Sequence, residues 1–246
     1  MKRIAPEVEV IDITHGIAPQ GVLQGALVLA NTLPYMPIGV HLAVVDPGVG
    51  SARRPVALEG GDGRLYVGPD NGLLLVAAEK LGGIKHAVEI QDPKYRLEPV
   101  SATFHGRDLF SPAAAHLAVG VPLGDLGPVL AVDELVHIDI PRAEVGSTRL
   151  RATVLYVDRF GNVQLNATSD DLKAAGIEPG ARVEIESGFE AYFAVAARTF
   201  ADVRPGEIVL YEDSYQNVAL ALNGGNAAEM LLARPGRELR VRRTDT

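Results

Sequence analysis

The chain has 246 residues, 23 Lys and Arg against 31 Asp and Glu for a formal charge of -8, and neither Cys nor Trp. The absent thiols exclude disulfide frameworks, zinc–thiolate sites and thiol catalysis. The acidic balance argues against a nucleic-acid or anionic-membrane partner, which would need net or clustered positive charge. With 47% hydrophobic and 22% charged residues, the composition is that of a globular protein with one large domain or two small ones.

The opening, MKRIAPEVEV, has two basic residues followed by Pro6 and acidic positions, which is not a signal-peptide pattern. Every apolar run stops short of the roughly 18 residues a bilayer span requires. These features predict a soluble, cytoplasmic protein.

In chain order, VEVIDI (8–13) reads as a strand. GVLQGALVLANTL (21–33) reads as a helix with Val22, Ala26, Leu29, Ala30 and Leu33 on one face. GVHLAVVD (39–46) is an unbroken apolar run, as in a strand buried on both faces of a parallel sheet. RLYVG (64–68) and HAVEI (86–90) are further strands. GLLLVAAEKL (72–81) and DLFSPAAAHLAVG (108–120) are helices, each ending near glycine. This alternation predicts an α/β domain with a mainly parallel sheet. From about residue 149 the segments are short, partly alternating and separated by Gly, Asn, Asp and Pro, which predicts an antiparallel β-barrel or sandwich. The expected organisation is therefore an α/β domain over 1–127, a linker over 128–148 and a β domain over 149–246.

Three loops carry polar groups that a core does not require. In VVDPGVGSARR (44–54), Asp46 ends an apolar strand, where open α/β sheets bind ligands. Taken locally it reads more readily as a turn Asp capping backbone amides, with a solvated Arg53. In TFHGRD (103–108), His105 precedes a helix, whose dipole favours the neutral imidazole a general base needs. In YVDRFGNVQLN (156–166), Asn162 beside Phe160 could pair with and stack on a heterocycle, or simply form a hairpin turn. YEDSYQN (211–217) reads as a polar hairpin, and PDNG (69–72) as a turn with Asp70 capping the next helix. The six histidines show no metal-site spacing.

The segments DITHGIAPQGV, AVVDPGVGSARR, YVGPDNGLL, TFHGRDLFSPAAAHLA, VDRFGNVQLN and GNAAEML, in this order, resemble the S-adenosyl-L-methionine hydroxide adenosyltransferases, hydrolytic relatives of the fluorinase and chlorinase enzymes. The resemblance implies a Rossmann-like N-terminal domain, a C-terminal β-barrel and a homotrimer with active sites between subunits. It implies cleavage of S-adenosyl-L-methionine by water to adenosine and L-methionine, with no further cofactor and no metal. A family trio of Asp, Arg and His maps onto Asp46, Arg53 and His105, with Arg54 second in rank. Substrate contacts map onto Asp158, Phe160 and Asn162 for the adenosine end, and onto Ser214 and Tyr215 for the methionine end. Gly106 stands where the fluorinase pattern has a halide-holding Ser, which favours water over halide. The family pattern also implies a strand and loop of the form TDFG, followed by a ribose-gripping Asp, YVG and a helix with MKG, ahead of MKRIAPEVEV. This sequence does not contain that segment, so the alternative expectation is a non-catalytic adenosine- or S-adenosyl-L-methionine-binding protein.

The implied chemistry suits these residue types. A sulfonium leaves as a neutral thioether and needs no general acid. Attack in line with sulfur rests on positioning. Water must be ionised, and a guanidinium stabilises hydroxide. Arg53 is assigned that role, His105 is either the proton acceptor or a group orienting hydroxide, and Asp46 orients His105 or the water.

Overall fold

A computed structural model describes residues 1–244. The chain divides into two compact units, Met1–Ile138 and Asp139–Thr246.

The first unit is a mixed α/β layer structure. Its elements are α1 (Val22–Thr32), β1 (Val40–Leu42), β2 (Pro55–Gly60), β3 (Leu65–Pro69), α2 (Leu75–Lys80), β4 (Ile84–Glu89), α3 (Ser111–Ala118) and β5 (Val129–Leu130). The sheet runs β1-β3-β2-β4-β5. Period-two alternation sorts its side chains to opposite faces. Val56, Leu58 and Tyr66 pack with Ala26 and Leu29 of α1 and Ala77 and Ala78 of α2. Ala57 and Val67 pack with Phe110, Ala113 and Leu117. Helices thus cover both faces, and the apolar stripe of α1 is the one its spacing predicts.

The expected mainly parallel sheet is a mixed one. β1 and β3 are parallel, whereas β2 runs antiparallel to both β3 and β4, and β4 antiparallel to β5. The cause is β2, an apolar strand that the sequence reading leaves unassigned. It forms a hairpin with β3 through Gly61-Asp62-Gly63, where Gly63 takes φ +88°. Asp62 accepts from the Arg64 backbone N–H at 3.1 Å, and Arg64 donates from Nη2 to the carbonyls of Leu33 at 3.0 Å and Met36 at 2.6 Å.

Two other expectations change. Residues 8–13 have no ladder partner among the described residues and leave Val10, Ile11 and Ile13 exposed, so they form no strand. The 39–46 run yields only β1, which is half-buried because it is a sheet edge pairing with β3 alone.

The second unit is a closed β-barrel. It comprises β6 (Glu144–Val145), β7 (Arg149–Val157), β8 (Val163–Thr168), α4 (Ser169–Ala174), β9 (Arg182–Ser187), β10 (Glu190–Ala196), β11 (Ile208–Glu212), β12 (Asn217–Leu222), α5 (Ala227–Met230) and β13 (Glu238–Arg243). The ring β7-β8-β12-β11-β10-β9-β13 closes by pairing of β13 with β7, and β6 adds to β7. Closure removes the free edges of these seven strands. All pairings are antiparallel except β10–β11. Inward residues such as Leu150, Leu165, Ile185, Leu210, Leu220 and Val241 fill the core. Thr168 caps α4 by accepting from the Asp171 N–H, while Asp171 accepts from the Thr168 N–H in return. No helix among the described residues is long and apolar enough to cross a membrane.

Candidate active site

In the first unit, three separated loop residues converge. Beyond β1, the chain passes Val45, whose carbonyl accepts from Asn71 Nδ2 at 2.9 Å. This bond fixes the backbone just before Asp46. Asp46 receives Arg53 in a two-pronged ion pair, Nε to Oδ1 at 3.1 Å and Nη2 to Oδ2 at 2.5 Å. Both side chains are only 6% exposed. Arg53 Nη2 also donates to His105 Nδ1 at 3.1 Å. The guanidinium carbon lies 5.2 Å from the centroid of the fully buried Phe110 ring, and Arg53 Nη1 is buried without a partner among the described residues.

Gly50 allows the two loops to meet. It takes φ +79°, and a Cβ there would lie 2.8 Å from the Ala102 carbonyl oxygen. His105 opens a wide helical turn, Gly106–Phe110, that runs directly into α3. The loop before it is anchored by buried Asp108, which accepts from the Ser101 N–H at 2.9 Å and from Arg107 Nε at 2.5 Å. Chiefly because of the Arg107 bond, the Asp108 carboxyl is held down at about 2.

A guanidinium can only donate, so His105 Nδ1 is an acceptor and the neutral ring carries its proton on Nε2. His105 therefore offers an N–H at its free edge. Arg54 does not join this cluster. It donates from Nε to Asp70 at 2.9 Å and from Nη2 to the Glu134 carbonyl at 2.5 Å. Asp70 accepts the Arg54 Nε bond and the Val136 N–H instead of capping α2.

In the second unit, the remaining candidates line one cleft of about 670 Å³, together with Tyr156, Gln164, Tyr211 and Asp213. Two five-residue turns form its walls, and they share one bonding plan. Asp158 Oδ1 accepts from the N–H groups of Phe160 and Asn162 at 2.8 and 2.9 Å. Asp213 Oδ1 accepts from those of Tyr215 and Asn217 at 2.8 and 3.0 Å. Each Asp N–H donates to the carbonyl four residues on, and each fourth residue has positive φ, Gly161 at +82° and Gln216 at +66°. Phe160 is 63% exposed and Tyr215 38%. Asp158 Oδ2 accepts from Asn162 Nδ2 at 2.8 Å, so this carboxylate is largely occupied in holding its own turn.

Sequence reasoning missed Gln164 and Asp213. The repeated pattern Asp-x-aromatic-x-Asn at 158–162 and 213–217 is the signal that relates the two turns. Burial pushes the Tyr211 hydroxyl up to about 12 and raises Tyr156 further, with neighbouring carboxylates adding to both, so both stay phenols.

An α/β unit with a part-buried Asp–Arg–His cluster, joined in sequence to a barrel with an aromatic, amide-rich cleft, defines a two-domain protein with a cleft of small-molecule size. The profile of the SAM hydroxide adenosyltransferase N-terminal domain matches residues 1–127, and that of the C-terminal domain matches residues 152–240. The chain belongs to the SAM hydroxide adenosyltransferase family. It is 49% identical to the (R)-S-adenosyl-L-methionine hydrolase of Salinispora tropica, over 98% of this chain and 89% of that protein. It is 38% identical to the protein of the same name from Thermus thermophilus, over 96% and 89%. A crystal structure of a conserved protein from Thermotoga maritima superimposes with a TM-score of 0.87 at 35% identity, covering 98% of this chain and 92% of that one.

Proposed function

We propose that this protein hydrolyses S-adenosyl-L-methionine to adenosine and L-methionine. An oxygen–C5′ bond forms, the C5′–S bond breaks, sulfur keeps the electron pair and leaves as a thioether, and water yields one proton to the solvent. Family membership and the names of the relatives support the reaction. The observation that carries the mechanism is Arg53, clamped by Asp46, bonded to His105 and left with Nη1 unpartnered. A buried donor without a partner favours an incoming acceptor, and hydroxide is a stronger acceptor than water.

His105 serves as a donor from Nε2 that orients the attacking oxygen, the second of the two roles left open by the sequence. Arg53 favours the ionised form of that oxygen. In the barrel cleft, Phe160 and Asn162 hold the adenosine end, and Ser214 and Tyr215 the methionine end. Asp158 supports this by holding the Phe160–Asn162 turn. We further propose a cytoplasmic homotrimer, in line with the family resemblance, in which both residue groups serve one substrate.

The test is incubation of the protein with S-adenosyl-L-methionine in buffers with and without chloride and fluoride, with chromatography of the products. Adenosine and methionine in every buffer is the expected result. A halogenated nucleoside, or tight binding with no adenosine, refutes the reading. Light scattering of the purified protein tests the trimer.

A further inference from the structure

We propose that Gln164 and Asp213 form a receptor for the substrate's α-ammonium group and so make the site specific for an amino acid. The proposal rests on the hydrolase reading above and extends it to two residues that sequence analysis did not single out.

Gln164 lies on β8, is 3% exposed and lines the barrel cleft. Its Nε2 donates to Asp213 Oδ2, which fixes the orientation of the amide. The opposite end, Oε1, is buried and has no partner among the described residues. Leaving a buried acceptor unpaired costs about 1–3 kcal/mol, so the cleft favours a ligand that brings a donor there.

The surroundings specify the kind of donor. The described residues lining the cleft contribute the carboxylates of Asp158 and Asp213 but no Lys or Arg. Nearby Arg159 lies over the Phe160 ring, 4.7 Å from its centroid. Asp158 Oδ2 is met by Asn162 within its own turn, whereas among the described residues Asp213 Oδ2 is met only from across the cleft by Gln164. An amide oxygen beside a carboxylate suits a cation with several N–H groups. The methionyl end of the substrate carries such a cation, and its carboxylate would be repelled here. The neutral 6-amino group of adenine gains less from Asp213.

The test compares three ligands by calorimetry on the full-length protein: S-adenosyl-L-methionine, its analogue lacking the α-amino group, and its inosine counterpart lacking the 6-amino group. The wild type is expected to bind the deaminated methionyl analogue roughly tenfold to a hundredfold more weakly than the substrate, a range consistent with about 1.5–3 kcal/mol for a charged hydrogen bond. In Gln164→Leu, and separately in Asp213→Asn, that preference should fall several-fold, while the penalty for the inosine counterpart stays as in the wild type. Asp213→Asn keeps an oxygen for the turn, so it remains informative if Gln164→Leu does not fold. Equal weakening of all three ligands in both variants would mean a purely structural role and would overturn the proposal. So would a variant that changes only the inosine penalty. Adenosine release by the wild type is scored separately: if it occurs while the wild type shows no preference for the α-amino group, the hydrolase reading stands and the ammonium receptor falls.

Discussion

Asp158 and Asp213 are structural counterparts, each gathering two backbone N–H groups of its own turn on Oδ1, and they differ in what meets Oδ2. Asp158 turns this oxygen inward to Asn162, and Asp213 turns it toward Gln164 on another strand. One turn is therefore closed on itself and the other tied to the barrel wall. Asp158→Ala should release two backbone donors and the Asn162 amide together, costing roughly 1–3 kcal/mol, since these donors are exposed or part-buried and a typical hydrogen bond contributes a net of about 0.5–1.5. Asp158→Asn should cost less, because one oxygen still serves the backbone. Urea unfolding of the two variants checks the order.

The fourth residues of these turns predict effects of opposite sign. Gln216 holds φ +66° with a side chain, a conformation that costs a non-glycine residue about 1 kcal/mol. Gln216→Gly should leave stability unchanged or raise it by up to about 1 kcal/mol, since relief of strain competes with added unfolded-state entropy. Gly161→Ala should destabilise by more than that, because the position has φ +82° and a Cβ there would collide with the Asn226 side chain. Thermal unfolding measures both, and a stabilised Gly161→Ala would contradict the turn geometry.

The cluster in the first unit predicts a division between chemistry and binding. His105→Ala should lower the single-turnover rate about 10²–10³-fold with little loss of substrate affinity. His105→Gln should recover part of that rate, because an amide N–H can replace the Nε2 donor, whereas a role as proton acceptor would give no recovery. Asn162→Ala should show the reverse balance, with weaker binding and a better-preserved rate. Single-turnover rates beside calorimetric affinities separate the three.

Arg53→Ala should damage both rate and fold. It strands the Asp46 carboxylate in a buried position, and losing one partner of a buried pair costs about 3–5 kcal/mol. Rates for this variant should therefore be taken well below its unfolding temperature. A variant as stable as the wild type would show that the pair is more open to water than its 6% exposure indicates.

Acid should weaken the first unit through His41. Burial, and next the charge of Arg64, lower its pKa to about 4 from an ordinary value of 6.5. Between those values the unfolded chain binds more protons than the folded one, so stability falls as pH drops from about 6.5 to 4, after which this group adds no further loss. Below that window the depressed Asp108 adds its own loss as pH falls through about 2. His41→Leu should show a shallower decline between pH 7 and 4.5 in urea unfolding, and an unchanged slope would remove His41 as the cause.

Much of this architecture was legible where periodicity is long. The spacing of Ala26, Leu29 and Ala30 marks α1, and the strands of the barrel appear as short alternating runs between Gly, Asn and Pro. The mixed sheet was not legible because Pro55–Gly60 follows directly on a polar loop, and local composition does not show that Gly61-Asp62-Gly63 folds this strand back on β3. The run 8–13 has strand composition, but a strand also needs a partner, which local composition does not supply. Asp46 and His105 could be named as candidates from their loops and Arg53 ranked over Arg54 by resemblance, but the physical difference between the two arginines lies in contacts distant in sequence: Asp70 and Glu134 engage Arg54, and Gly50 lets the Arg53 loop approach Ala102. Gln164 was hidden because a polar residue on a strand normally faces solvent, and its cleft is assembled by barrel closure.

The clamp of Asp46 on Arg53 also bears on how a cationic substrate could be tolerated at this site. A lone buried guanidinium would repel a sulfonium. Paired on two oxygens, Arg53 and Asp46 sum to no net charge and present a dipole whose field fades faster with distance than that of an ion. Such a dipole is mild toward an approaching monopole yet acts strongly on an oxygen seated against Arg53 Nη1. The same two residues can thus admit a positive reactant and hold a negative one, with proximity alone separating the two tasks.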